Sequence, residues 1–144
     1  MINTDGEVVG VNTAVILGGQ GIAFAVPSAT ATRVISALLR FGRVRRGWLG
    51  VAGQDTAIPR RVSHAHGLPA DRGLGVTAVS DGSPAAHAGV RPGDVIVDFD
   101  GAAVSGADDL HRLLTEERID RRVPMRLLRH GENHRLEVVP SELP

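Results

Sequence analysis

The run Trp48-Leu49-Gly50-Val51 places a glycine between apolar residues, a combination that can form a binding site for an anion. Glycine has no side chain to block close approach, so a turn at Gly50 can direct bare backbone N–H groups at a negatively charged ligand. The apolar neighbours can wall a pocket beside these groups. We therefore predict a site that holds the carboxyl end of a peptide. The arginines that precede it (Arg43, Arg45 and Arg46) either assist this capture or form a solvated linker.

The serines show no sign of acting as nucleophiles. Ser28, Ser83 and Ser105 each precede a predicted helix, where a hydroxyl group typically caps the first backbone N–H groups. The sequence contains neither a Gly-x-Ser-x-Gly elbow nor a Gly-Asn-Ser-Gly-Gly motif. We therefore predict no catalytic residue in this chain.

The histidines and the glycine-rich loop give no indication of a metal or cofactor. His64 lies close to His66, and His130 to His134, but no acidic cluster accompanies either pair, whereas a metal centre needs three or four converging ligands. The loop Gly18-Gly19-Gln20-Gly21 lacks the following Lys and Ser/Thr of a phosphate-binding loop. We interpret both histidine pairs as solvated surface residues and predict no metal and no cofactor.

The bulk composition excludes several classes of protein. The 144 residues contain 16 acidic and 16 basic residues, and every basic residue is arginine. A neutral chain with three phenylalanines and one tryptophan has little to offer a nucleic acid, so we predict no such partner. The absence of cysteine excludes disulfides and thiolate metal sites. No stretch approaches the roughly 20 apolar residues that span a bilayer, and we predict no direct membrane insertion.

The sequence of residues 1–42 predicts two strands, over 7–14 and 22–26, followed by a helix over 28–41. Pro27 ends the second strand, Ser28 is the predicted N-cap, and Gly42 is predicted to end the helix. Two strands and one helix are too few to close a core, so this segment is predicted to be the end of a larger domain. Residues 43–47 then form a linker.

Residues 48–144 predict a second domain of short strands and short helices. Strands are predicted over 48–54, 74–79, 95–99, 123–129 and 134–139, and helices over 85–88 and 107–117, with a helical turn near 62–66. Asp100-Gly101 is typical of a two-residue hairpin turn. Ser83 followed by Pro84 predicts a helix start, and Ser105 with Asp108 resembles a capping box.

The motif Ser83-Pro84-Ala85-Ala86-His87-Ala88-Gly89-Val90-Arg91-Pro92-Gly93-Asp94-Val95-Ile96 resembles the SPAxxAGLxxGDxI signature of PDZ domains, in the version found in bacterial HtrA/Deg proteases. Together with the glycine loop and the helix over 107–117, the resemblance covers residues 47–140. It implies an α+β fold, a small and partly open β-barrel or sandwich with two helices. It also implies a module that captures C-terminal or extended peptides, including the C-termini of unfolded proteins.

The resemblance assigns peptide and carboxylate binding to a set of nine residues: Trp48, Leu49, Gly50, Val51, Ala52, Ala107, Leu110, His111 and Leu114. Leu110 and Leu114 lie one helical turn apart and share a face, but the sequence leaves open which of them points into the groove. His111 is expected to edge the groove, where it would contact a ligand hydroxyl or carboxylate.

Residues 1–42 resemble the end of the trypsin-like protease domain of the same HtrA/Deg family. The resemblance makes Ile22, Ala23, Phe24 and Ala25 a remnant of the substrate-facing strand, and residues 28–41 the closing helix. The family's nucleophile motif would lie just before residue 1, with the catalytic His and Asp further upstream. We therefore expect the chain alone to be inactive as a peptidase.

Three functions are compatible with these patterns. The first is a peptide-binding PDZ module of a truncated HtrA-like protease. The second is a fragment of an active HtrA-type serine endopeptidase in protein quality control, whose catalytic triad lies upstream of residue 1. The third is an interaction protein in which residues 8–26 pair with another chain, for example in a homo-oligomer. The resemblance implies a periplasmic, extracytoplasmic or membrane-anchored full-length protein, while the sequence itself assigns no compartment, ligand sequence or oligomeric state.

Overall fold

The computed structural model describes residues 1–15 and 23–143. The chain forms two compact units, Met1–Val44 and Arg45–Pro144. The predicted loop Gly18-Gly19-Gln20-Gly21, and Ile22 at the start of the second predicted strand, lie outside the described residues. Among the helices that are described, none has the length and apolar character needed to cross a membrane.

The first unit contains an antiparallel hairpin and one helix. Strand β1 (Gly10–Val15) pairs with β2 (Ala23–Pro27), and α1 (Ser28–Phe41) follows directly. The helix ends as predicted at Gly42, which has a φ of 71° and donates its N–H to the Leu38 carbonyl at 2.9 Å. The predicted cap was wrong by one position, because Pro27 is the N-cap and the Ser28 side chain makes no capping bond.

The second unit is built on an open antiparallel sheet. Its strands follow the order β4 (Val51–Ala57), β5 (Arg72–Val79), β6 (Val95–Phe99), β8 (Val123–Arg129) and β9 (Glu132–Val138). The predicted hairpin turn is confirmed, because Asp100 and Gly101 both have positive φ between β6 and the short strand β7 (Ala102–Ala103). The sheet does not close, so β4 is left at one edge, in agreement with the partly open α+β fold that was predicted.

The predicted strand over 48–54 is in fact two strands. Strand β3 (Gly47–Trp48) pairs with β10 (Ser141–Glu142) in a separate two-stranded sheet, and β4 starts at Val51. The interruption lies at Gly50, whose φ of 77° is incompatible with an extended strand. The glycine therefore turns the chain from one sheet into the other.

Three short helices lie beside the large sheet: α2 (Arg60–Ala65), α3 (Pro84–Ala88) and α4 (Ala107–Leu113). The predicted start of α3 is confirmed, since the Ser83 hydroxyl accepts the Ala86 N–H at 3.2 Å. Buried apolar side chains from the sheet, from α4 and from the loop between β3 and β4 form the main core, which includes Leu49, Leu74, Val76, Ile96, Phe99, Leu110, Met125 and Leu127.

Helix α4 starts at Ala107 as predicted but ends earlier than predicted. It stops at Leu113 rather than near residue 117, because Thr115 is extended and the Arg118 guanidinium caps the helix by donating to the Leu113 carbonyl at 3.0 Å. A 3-10 turn then covers Glu116–Arg118. The predicted capping box of Ser105 and Asp108 was also wrong, because the N-cap is Gly106.

Candidate functional site

A groove of about 460 Å³ lies between the edge strand β4 and helix α4. All nine residues of the predicted peptide-binding set line it, and so do five further residues. The predicted set is Trp48, Leu49, Gly50, Val51, Ala52, Ala107, Leu110, His111 and Leu114, and the additional residues are Arg46, Gly47, Gly53, Leu74 and Leu143. The geometry thus brings the loop, the strand and the helix around one concave surface.

Strand β4 offers a free edge to this groove. Its pairing with β5 runs from the pair Val51 and Val79 to the pair Ala57 and Arg72. Within the described chain no strand pairs with the other edge of β4. An unpaired strand edge carries a row of backbone N–H and C=O groups that can form hydrogen bonds with an added extended segment.

The loop between β3 and β4 requires glycine at position 50. The φ of Gly50 lies in the left-handed region, and a Cβ atom there would lie 2.2 Å from the Ser83 Cβ and 2.7 Å from its Oγ. Ser83 is itself fixed in place as the buried N-cap of α3. The sequence motif at residue 83 and the glycine loop are therefore parts of one packed arrangement.

Leu49 and Gly50 are buried residues of this loop, and only their carbonyls have hydrogen-bond partners among the described residues. The Leu49 carbonyl accepts the Ala85 N–H at 2.9 Å, and the Gly50 carbonyl accepts the Ser80 N–H at 2.8 Å. Neither the Leu49 nor the Gly50 N–H donates a hydrogen bond to any residue that the structure describes. Since buried backbone donors are nearly always paired, this loop is suited to an anionic acceptor from outside the unit.

The apolar side of the groove is formed by side chains that also belong to the core. Leu110 is 2% exposed and Leu114 is 8% exposed, and both line the groove. The question that the sequence left open, which leucine points to the groove, is answered by the structure: both contribute to its floor. The buried side chains of Leu110 and Leu114 thus form an apolar surface that suits an apolar side chain of a ligand.

The arginines near the loop have different surroundings. Arg45 is engaged within the unit, because its guanidinium lies 2.9 Å from Glu142 Oε2 and 3.9 Å from Glu116 Oε1. The hydrogen bond to Glu142 and its negative charge raise the pKa of Arg45. Arg46 is exposed at the mouth of the groove and has no ion pair within the described ranges. Of these two, Arg46 is the one that lines the groove.

Other described residues singled out in the sequence are not among those that line the groove. Phe24 and Ala25 are exposed on β2, which Ala23 begins, while Ile22 is outside the described residues. His66 Nε2 lies 2.8 Å from the Gly131 carbonyl oxygen. His111, in contrast, is exposed on α4 at the edge of the groove.

Sequence reasoning missed two residues that shape this site. Asp55 on β4 accepts the Ala107 N–H at 3.0 Å and so ties the strand to the start of α4. Leu143 lines the groove from the far end of the sequence. No local motif marks either residue, because each acts on a segment that is distant along the chain.

Comparison with known proteins places this arrangement in a family. The family model for the PDZ domain matches residues 48–139, so the chain belongs to the PDZ domain family. Its relatives define the branch more closely, because it is homologous to part of the HtrA/DegP-type serine proteases.

Two curated relatives are named "Probable periplasmic serine endoprotease DegP-like". The protein from Marinomonas sp. (strain MWYL1) is 32% identical over the whole chain, and the one from Chlamydia pneumoniae is 36% identical. The chain spans only 31% and 30% of the length of these two relatives, respectively.

Solved structures of HtrA-type proteases are similar to nearly the whole length of this chain. HtrA-type protease AlgW with tripeptide aligns over 99% of this chain and 48% of its own, with a TM-score of 0.83 and 30% identity. The same protease with decapeptide gives a TM-score of 0.78 and 31% identity over 96% of this chain and 43% of its own.

Proposed function

We propose that the unit Arg45–Pro144 binds the C-terminal end of an extended peptide in the groove between β4 and α4. The peptide adds as a strand to the free edge of β4, its terminal carboxylate accepts the N–H groups of Leu49 and Gly50, and its last side chain enters the apolar part of the groove. The observation that carries this proposal is the loop itself, in which the N–H groups of Leu49 and Gly50 lack an acceptor among the described residues.

The side chains around the groove support an apolar last residue. Leu49, Leu110 and Leu114 are all buried and line the groove together. Arg46 at the mouth of the groove adds a positive charge near the proposed position of the carboxylate. His111 on α4 can donate or accept a hydrogen bond with a polar group of the ligand. A short strand and one pocket bury little surface, so we expect dissociation constants on the order of micromolar.

The relatives support this assignment. The AlgW structures are named as complexes with a tripeptide and a decapeptide, and they are similar to this chain over nearly its whole length. The curated relatives are named periplasmic, and on that ground we infer that this chain acts outside the cytoplasm. The ligands that we propose are peptides or the C-termini of unfolded proteins.

The experiment is a comparison of one apolar peptide with a free C-terminal carboxylate and with a C-terminal amide. Binding to the purified 144-residue chain is measured by fluorescence anisotropy. We expect amidation to weaken binding about tenfold or more, because it removes a charged acceptor from two N–H donors. Equal affinity for the two peptides would overturn the proposal.

A pair of variants locates the site on the surface. Ala107→Trp puts a bulky side chain in the groove, whereas Ala103→Trp puts the same side chain on the exposed hairpin strand β7. We expect only Ala107→Trp to abolish binding. If both variants bound the peptide as well as the unchanged chain does, the groove would not be the site.

A further inference from the structure

Leu143 lines the groove, although it is distant along the chain from most of the other lining residues. It lines the groove together with Gly50, Leu110 and Leu114. Its side chain is 54% exposed, whereas those three residues are buried. Leu143 thus lines the groove with an apolar side chain that is exposed enough for a ligand to contact it.

The backbone that carries Leu143 is fixed at several points. The Leu143 N–H donates to the Arg46 carbonyl at 2.9 Å, and β10 pairs with β3 through Ser141 with Trp48 and Glu142 with Gly47. One step earlier, the buried Pro140 accepts the Asp120 N–H at 2.8 Å through its carbonyl. An exposed leucine on a backbone held in this way loses little conformational freedom when a ligand covers it.

An ion pair adds to this attachment. The Arg45 guanidinium donates through Nε to Glu142 Oε2 at 3.1 Å and places a second nitrogen 2.9 Å from the same oxygen. Arg45 directly precedes Arg46, to which Leu143 is bonded. The ion pair and the hydrogen bond therefore hold the segment 45–46, which leads into the loop, against the segment 142–143.

We propose that Leu143 is a specificity-determining residue of the groove: it forms the outer wall against which the last side chain of a bound peptide packs, and so selects the size of that side chain. This inference rests on the proposed function. The buried leucines form a floor of fixed shape, while the reach of residue 143 over the mouth of the groove sets the width of the pocket.

The experiment uses the full 144-residue chain and four peptides that differ only in their last residue, which is Ala, Val, Leu or Phe with a free carboxylate. Leu143→Ala widens the mouth of the groove and Leu143→Phe narrows it. For Leu143→Ala we expect about fivefold weaker binding of the Val and Leu peptides, with the Phe peptide weakened less. For Leu143→Phe we expect about tenfold weaker binding of the Phe peptide, while the Ala peptide stays within about twofold.

Leu39 provides the matched control. It is 83% exposed on α1 in the other unit, so Leu39→Ala and Leu39→Phe make the same changes outside the groove. We expect these variants to leave all four affinities within about twofold of the unchanged chain. If Leu143 only stabilised the fold, each Leu143 variant would change its affinity for all four peptides by the same factor, with no change in size preference.

The outcomes separate the two proposals. If free peptides bind better than amidated ones but the Leu143 variants show no opposite shifts in size preference, this inference is overturned and the proposed function stands. If the unchanged chain does not distinguish free from amidated peptides, the proposed function is overturned, and the inference is overturned with it.

Discussion

Asp55 Oδ1 accepts a hydrogen bond from the Ala107 N–H at 3.0 Å, and this bond joins the edge strand β4 to the first residue of helix α4. It replaces the N-cap side chain that α4 lacks, because the N-cap residue is Gly106. A Cβ atom at Gly106 would lie 2.3 Å from the same carboxylate oxygen. The glycine therefore makes room for the aspartate, and the pair sets the distance between the two walls of the groove.

The first prediction concerns Asp55→Ala. It removes the acceptor from the start of α4, so we expect the free energy of unfolding of the second unit to fall by about 1 kcal/mol, the usual cost of losing a helix cap. We also expect peptide affinity to fall severalfold, because α4 is no longer held to β4. Urea unfolding followed by the fluorescence of Trp48, the single tryptophan, measures the first effect. Asp81→Ala, in an exposed turn, is the control and should change neither quantity.

The second prediction compares two glycines that both have positive φ. Gly82 has open space around its missing Cβ, so Gly82→Ala should cost only the backbone strain of about 1–2 kcal/mol. Gly50→Ala adds the overlap with Ser83, and we expect a total cost of about 3 kcal/mol or more together with loss of carboxylate binding. The same urea titration and the anisotropy assay measure both effects. Equal costs for the two variants would contradict the packing of Gly50 against Ser83.

The sequence predicted those features that depend on neighbouring residues. The hairpin turn at Asp100-Gly101 and the Ser83 cap of α3 follow from local chemistry, and both are confirmed. The motif over 83–96 identified the family, because its glycines, proline and aspartate have fixed spacings. The turn at Gly50 was predictable from its local sequence as well, since a glycine between apolar neighbours is distinctive, and the structure gives it a φ of 77°.

What the sequence did not predict depends on strand register and on contacts between distant segments. Asp55 and Ala107 are 52 positions apart, and only the pairing of β4 at the sheet edge brings them together. The predicted capping box failed because this distant carboxylate took over the cap. The end of α4 was missed in a similar way, since the Arg118 side chain folds back to cap it.

The third prediction concerns two serines that both precede or begin a helix. Ser83→Ala removes the hydroxyl that accepts the Ala86 N–H, so the second unit should lose about 1 kcal/mol of stability. Ser28→Ala should cost close to nothing, because the Ser28 side chain makes no capping bond at the start of α1. Thermal unfolding of the two variants beside the unchanged chain tests this. A comparable loss of stability in both variants would instead support the predicted helix cap at Ser28.

The aspartate of the motif is held by a partner that lies 35 positions away. Arg129 Nε lies 2.8 Å from Asp94 Oδ1, and a second nitrogen lies 2.8 Å from Oδ2, which also accepts the Arg91 N–H. Burial raises the pKa of the Asp94 carboxyl, but the Arg129 guanidinium and the Arg91 N–H together outweigh burial and hold the pKa below its usual range. The Asp94 side chain is 2% exposed, so the charge depends on these partners.

The fourth prediction is that Arg129→Gln destabilises the second unit by about 3 kcal/mol at neutral pH, because it leaves a buried carboxylate without its cation. Since the folded-state pKa of Asp94 lies below the unfolded value of about 3.9, the pair stabilises the fold fully above that pH and loses its effect as the pH falls through the folded-state pKa. Arg129→Gln raises the folded-state pKa, so acid unfolding, followed by Trp48 fluorescence, should move to higher pH. Arg122→Gln breaks the exposed pair with Glu137 and should change stability by less than about 0.5 kcal/mol. Equal acid midpoints for the Arg129 and Arg122 variants would show that Asp94 does not depend on Arg129 for its charge.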